Sequence, residues 1–361
     1  MLYFLINNDF HLSFDRKFIQ KINNGINISL IQVPYSLSVV EEDSLFKEIY
    51  CFPQIHLSFS RIFKIFRIKK LIRRSLKIKT DDILYVHSER DLTNQFIIQL
   101  FYTANAKIFL LEDGVSTMCM FNMDPGKISF KEQIKYLLLK QIFGFHLLNV
   151  GRYGIENLYT MSDEIFKGLI ITIGHKINRN IKIYKVTLGD ENVNNIDING
   201  AIFLNQDYYR FISNVDEYIS FVIENLIISK NFNPFYFKFH PSDSDYFKQE
   251  LAIRIKDNYE NIIIIYEESN FENLITTYPV ANVISFNSSA CFNLINSKFN
   301  PIFLNHFLEK KYPNILFKTF EIFLNSINCK YPTNLYEVTP KFISYTSLSH
   351  DTTYLEINEI S

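Results

Sequence analysis

The stretch FLLEDG (Phe109–Gly114) runs three large apolar residues into two adjacent carboxylates and a glycine. A strand that ends this way delivers Glu112 and Asp113 to its tip, and Gly114 permits the sharp turn that exposes them. A carboxylate held beside a second acid and near apolar walls can have its pKa raised toward neutrality, which suits a general base; a turn whose acids cap the next segment is the plainer alternative. FKFHPSDSD (Phe237–Asp245) ends a second apolar run on His240 and Pro241. The proline stops the strand and fixes the imidazole at its tip, where it can hydrogen-bond or protonate an anionic leaving group. ISFNSSAC (Ile284–Cys291) sets Ser288 and Ser289 between a strand and a helix, where hydroxyls and free backbone N–H groups serve equally as a cap and as an anion site. Glu272 opens a short helix in NFENLI, placed to accept hydrogen bonds from a ribose, although the helix dipole alone accounts for an acid there.

Other chemistry finds less support. Asp243-Ser244-Asp245 has the spacing of a D-x-D metal element, but Ser242 or Asp243 ahead of YFKQELAIRI is a ready helix N-cap, and capping is the favoured reading. The chain has no G-x-G-x-x-G, no G-x-x-x-x-G-K-[ST] and no G-x-S-x-G, so dinucleotide, triphosphate and serine-hydrolase readings lose their usual support. Cys51, Cys119, Cys291 and Cys329 are far apart and suggest neither zinc nor a disulfide framework. The histidines other than His240 show no metal-site spacing.

The elements that must carry these tips alternate in type. Strand-like runs at Leu2–Ile6, Ile28–Val33, Ile83–His87, Lys107–Leu111 and Leu169–Ile173 are followed, after a polar Asn- and Asp-rich stretch over Asn178–Asn199 where the inter-domain linker is expected, by Ala201–Gln206, Phe235–Phe239, Asn261–Tyr266, Ala281–Phe286 and Pro301–Leu304. Helix-periodic segments lie between them, one of them LTNQFIIQLFYTANA with Thr93 as the expected N-cap. Alternation of this kind is the signature of parallel α/β layers. With 361 residues there is room for two domains, expected at 1–185 and 195–330, with 331–361 packing back on the first. Two such domains leave a cleft, and ligands bind beyond the carboxyl ends of parallel strands.

A composition of 47% hydrophobic and 21% charged residues is that of a globular chain, and a net charge of −1 argues against a dedicated nucleic-acid binder. No apolar run reaches the roughly 20 residues that span a bilayer, and the N-terminal run is too short for a signal peptide, so a cytoplasmic protein is expected. One segment stands apart: Arg61 to Lys79 carries nine cations interleaved with Ile, Leu and Phe and no acid, which points to anionic lipid or an anionic acceptor.

Taken in order, these motifs resemble those of bacterial sialyltransferases of the GT-B type, which share a D/E-D/E-G motif, an HP motif and a later serine pair. Glu112-Asp113-Gly114, His240-Pro241 and Ser288-Ser289 are the matches. Glu272 is similar to the family's ribose-binding glutamate, without the usual preceding proline; Lys238 in KFHP and Gln206 in FLNQ are similar to positions in the lipooligosaccharide sialyltransferases, glycosyltransferase family 52. The polysialyltransferases of capsule synthesis share the same short motifs. The resemblance implies two Rossmann-like domains, CMP-sialic acid as donor, a surface glycan or glycolipid as acceptor, and an inverting displacement that needs no metal. Glu112 or Asp113 would be the base, with Glu112 favoured; His240 would serve the departing phosphate, and Gly114, Gln206, Lys238, Pro241, Glu272, Ser288 and Ser289 would bind the donor. The alternatives are another donor, such as CMP-Kdo or an NDP-sugar, and a non-catalytic glycan-assembly protein.

Overall fold

The computed structural model describes residues 1–22, 25–35, 39–56, 62–113, 129–149, 160–172, 180–186, 195–210, 212, 214–267, 271–295, 297–344 and 355–356. It divides into two α/β units. The first runs β1 (Leu2–Ile6), α1 (Asp9–Ile22), β2 (Ile28–Gln32), β3 (Glu48–Cys51), α2 (Ile62–Ser75), β4 (Ile83–Val86), α3 (Leu92–Thr103), β5 (Lys107–Leu111), α4 (Phe130–Gln141), β6 (Leu148–Asn149), β7 (Thr160–Met161), β8 (Gly168–Ile171) and β9 (Ile183–Lys185). The second runs β10 (Asp197–Leu204), α5 (Val215–Asn225), β11 (Phe235–Lys238), α6 (Asp245–Asn258), β12 (Ile262–Ile265), α7 (Phe271–Thr277), β13 (Val280–Ser285), α8 (Ser289–Phe292), β14 (Asn300–Phe303), α9 (Asn305–Lys311) and α10 (Ile315–Ser326). A last strand, β15 (Leu355–Glu356), pairs with β9.

The first sheet has the order β15-β9-β8-β5-β4-β1-β2-β3, and the second β12-β11-β10-β13-β14. Every pairing in both sheets is parallel. Their strands are near-continuous apolar runs because helices cover both faces of a parallel sheet. Same-face aromatics meet across the register: Phe4 stacks on Tyr85 at 4.9 Å and Tyr85 on Phe109 at 5.6 Å, with Phe18 of α1 set edge-on to Phe4 and Tyr85. In the second sheet Phe203 stacks on the paired Phe237 at 5.6 Å, and Phe286 meets it edge-on. Burying each such side chain stabilises the fold by about 1.5–3 kcal/mol.

In each sheet the strand order reverses once, between β1 and β4 and between β10 and β13. At such a switch point adjacent crossovers leave on opposite faces, and the crevice beyond the carboxyl ends is open to a ligand. FLLEDG ends β5, next to β4; FKFH ends β11, next to β10; and ISFNSS ends β13.

Two expectations are corrected. The N-cap of α3 is Asp91, whose carboxylate accepts from the N–H groups of Thr93 and Asn94, because the carboxylate reaches two open donors at once. The polar stretch Asn178–Asn199 does contain the boundary between the two units, and its described residues also hold β9 and the start of β10. Residues 331–344 pack on the second unit, not the first. Val338 lies in the second unit's core, its carbonyl accepts from Asn231, and the Phe342 carbonyl accepts from Asn300. Among the described residues of this tail, β15 joins the first sheet.

Candidate active site

The two carboxylates of FLLEDG sit in opposite environments. Glu112 is 1% exposed, and its Oε2 accepts from the Thr172 amide at 2.6 Å and the Thr172 hydroxyl at 2.8 Å, both just past β8. Burial outweighs these bonds and holds the Glu112 carboxyl above the usual carboxylate range. Asp113 has a side chain 14% exposed, with Oδ1 2.6 Å from His11 Nε2 and Oδ2 3.4 Å from Arg90 Nη2. Here burial is overcome by the His11 hydrogen bond and the charge of Arg90, and the Asp113 carboxyl lies below its ordinary value. Two neighbouring acids whose pKa values are driven apart are suited to different tasks.

The supporting residues come from the switch point. The amide of Asn7, just past β1, donates to His11 Nδ1 at 3.1 Å, so the proton of a neutral His11 sits on Nε2 and points at Asp113. Burial first, and then the neighbouring His87, push His11 down to about 4, so it is a neutral donor at pH 7. His87 lies parallel beneath it, ring centroids 4.2 Å apart and planes 6° from parallel. The His87 Nδ1 donates to the Glu112 carbonyl at 2.6 Å, and Nε2 faces Asp15 Oδ1 at 2.9 Å. Burial works to lower the His87 pKa, but Asp15 and the Glu112 carbonyl prevail and raise it, so the buried His87–Asp15 pair keeps its shared proton. Asn7, His11, Asp15, His87, Arg90 and Thr172 were not singled out in the sequence. The available signal was positional: HSERD follows one inner strand and NNDFH the other.

In the second unit His240 is half-buried. Its amide donates to Asp243 Oδ2 at 2.9 Å, and its Nδ1 lies 2.6 Å from Ser242 Oγ, which in turn donates to Asp207 Oδ2 at 2.8 Å. The Ser242 amide also donates to Nδ1 at 3.3 Å, so the proton of a neutral ring sits on Nε2, and Ser242 ties the imidazole to Asp207. That fixes the ring by a relay from a carboxylate beyond β10. Gln206 is half-buried, its Nε2 donating to the Asn205 carbonyl and its own carbonyl accepting from Tyr218. Lys238 is buried, and its Nζ donates to the Glu267 carbonyl at 2.8 Å. Pro241 is exposed. Ser288 is the N-cap of α8, Oγ accepting from Ala290 N–H at 3.2 Å, and Ser289 is the first residue of that helix. Gly114 and the side chain of Glu272 lie outside the described residues, although the Glu272 backbone opens α7.

The D-x-D stretch is a capping device. Ser244, rather than Ser242 or Asp243, is the N-cap of α6 and accepts from Phe247 N–H. Asp243 is buried and pushed up to about 6 by that burial, and it accepts from Asn205 Nδ2 and the His240 amide. No group of three or more His, Cys, Asp or Glu among the described residues is placed to hold a metal ion. In the basic segment Arg61 is outside the described residues. Lys69 does not belong to the charged face: it is buried, donates to the Phe143 carbonyl, and lies over the rings of Phe96 and Phe145.

Residues 27–298 match the alpha-2,8-polysialyltransferase (POLYST) family, a span that contains the carboxylate pair, the HP motif and the serine pair. The chain belongs to the alpha-2,8-polysialyltransferase family. No protein of curated function matches it. Among solved structures it is similar to the UDP-GlcNAc 2-epimerase of Methanocaldococcus jannaschii (14% identity, 90% of this chain and 92% of that one, TM-score 0.42). It is also similar to UGT2 of Phytolacca americana complexed with UDP-2fluoro-glucose and pterostilbene (8% identity, 90% and 83%, TM-score 0.49) and to MurG of Acinetobacter baumannii (9% identity, 94% and 87%, TM-score 0.42). Among the two groups of sialyltransferases whose motifs the chain resembles, the matching family is that of the polysialyltransferases.

Proposed function

We propose that this polysialyltransferase-family chain is an inverting transferase that moves sialic acid from CMP-sialic acid to a hydroxyl of a bacterial surface glycan. The observation that carries the reading is the family match over 27–298, which embraces Glu112, His240 and the serine pair within one span. Glu112 takes the proton of the acceptor hydroxyl as its oxygen attacks the anomeric carbon. The bond to the CMP phosphate breaks with its electron pair leaving on the phosphate oxygen, and configuration inverts. The raised pKa of Glu112 supports its assignment as the base, while Asp113, pinned by His11 and Arg90, orients the turn. His240, held by the Ser242–Asp207 relay, donates to the departing phosphate. Gln206, Lys238, Pro241, Glu272, Ser288, Ser289 and Gly114 are proposed to line the donor's path.

A single phosphate carries less charge than a diphosphate, so protein donors suffice and the reaction should run without a divalent metal. The setting proposed is the cytoplasm, at the inner face of the membrane; no helix among the described residues is long and apolar enough to cross one. The test is release of CMP from CMP-sialic acid, with an acceptor glycan, in the presence of a chelator. Turnover of a UDP-sugar or CMP-Kdo in its place overturns the donor assignment, and full output from Glu112→Gln and His240→Ala variants overturns catalysis.

A further inference from the structure

The outward faces of α2 and α4 combine exposed apolar and cationic side chains. On α2 the inward arc holds Ile65, Ile68, Lys69 and Ile72, all buried, and the opposite arc is made only of large apolar and cationic side chains. Phe63 is 83% exposed, and Phe66 and Leu71 are each 47% exposed; between them stand Lys64, Arg67, Lys70, Arg73 and Arg74. α4 buries Tyr136 and Leu139 and turns Phe130 (76% exposed), Ile134 and Leu137 (62%) outward, with Lys131 on the same side.

α2 is tied to the segment just beyond α4. Lys69 reaches from the inner side of α2 to the Phe143 carbonyl just beyond α4, and Phe66 and Phe143 meet with ring centroids 6.0 Å apart. A buried lysine that spends its ammonium on a backbone carbonyl and two aromatic rings is a structural tie; burial lowers it to about 8. The tie holds the end of α4 against α2.

We propose that α2 and α4 together form a platform that docks the protein on an anionic lipid bilayer, with Phe63, Phe66, Phe130 and Leu137 entering the acyl boundary and Arg67, Lys70 and Arg74 meeting the headgroups. This deepens the membrane setting proposed above by adding a second helix and an apolar contact to the basic segment. Charge complementarity selects the occupant: an arc of cations without an acid calls for an anionic surface, and the large apolar side chains in that arc call for one with a hydrocarbon interior. A nucleic acid offers the first and not the second. A second copy meeting face to face would set like charges against each other.

The full chain is tested by flotation with vesicles of phosphatidylcholine alone and of phosphatidylcholine containing phosphatidylglycerol. The expected result is binding to the anionic vesicles only, weakened by salt because screening acts over about 10 Å at 0.1 M ionic strength. The Arg67→Glu, Lys70→Glu, Arg74→Glu triple variant should lose about tenfold or more in affinity. A Phe63→Ser, Leu137→Ser double variant with unchanged circular dichroism and melting should also bind more weakly while keeping CMP release on a short soluble acceptor. Equal binding to neutral and anionic vesicles overturns the proposal, as does undiminished binding by either variant. So does a dimer that the serine variant dissociates in the absence of vesicle binding. Failure here shows in flotation, and failure of the transferase reading shows in the donor assay.

Discussion

Glu112 and Asp113 are chain neighbours with opposite fates, and the difference is set by who reaches them. Thr172 gives Glu112 two hydrogen bonds in a dry site and burial still prevails, whereas His11 and Arg90 hold Asp113 as a carboxylate. Glu112→Gln keeps an acceptor for Thr172 and removes only the proposed base, so transfer should fall about 10²–10⁴-fold in a protein that still folds. Because the folded-state pKa of Glu112 is raised, its ionised form destabilises the fold above the ordinary carboxylate pKa, and Glu112→Gln should melt higher than the parent at pH 7. For the same reason kcat/KM should fall as pH drops through the raised value, since only the carboxylate accepts a proton. Asp113 has the opposite sign: its depressed pKa contributes stability that is present above the ordinary value and lost as pH falls through the depressed one. Asp113→Asn should therefore be less stable at pH 7 and show a flatter acid limb in a denaturation series. Ser242→Ala breaks the relay to Asp207 and should lower kcat by about tenfold or more with little change in KM, the split expected of a residue that positions His240.

At the scale of elements, the strand ends carry the candidate site and the interiors carry the stability. Gly168 in β8 faces the Tyr184 ring so closely that an added Cβ would come within 2.3 Å of Cε2. Gly168→Ala must displace β8 or β9, and with β8 goes Thr172; a loss of about 1–3 kcal/mol is expected in urea unfolding. Phe237→Ala empties the stack on Phe203 and should cost about 3–5 kcal/mol with the site residues untouched. The strands were legible because parallel strands buried on both faces are short continuous apolar runs, and the tips were legible because polar residues follow those runs. His11 and His87 were not. They lie 76 residues apart in sequence, and only the pairing of β1 with β4 stacks their rings. Likewise nothing in the residue type distinguishes Lys69 from its neighbours on α2; helical phase turns it inward, toward Phe143.

For the whole molecule, the family match and the two parallel sheets agree with the motif order read from the sequence, while the tail shows where that reading was too coarse. Residues 331–344 offered no strong periodicity, so their docking on the second unit through Val338, Asn231 and Asn300 depended on tertiary contacts. The central claim, that the chain transfers sialic acid, is tested most directly by presenting the purified protein with CMP-sialic acid, CMP-Kdo and UDP-sugars in parallel, each with an acceptor glycan and a chelator. Release of CMP from CMP-sialic acid, with sialic acid joined to the acceptor and the activity lost in Glu112→Gln, is the result expected. Turnover of a UDP-sugar that requires a divalent metal, with CMP-sialic acid left intact, would contradict it.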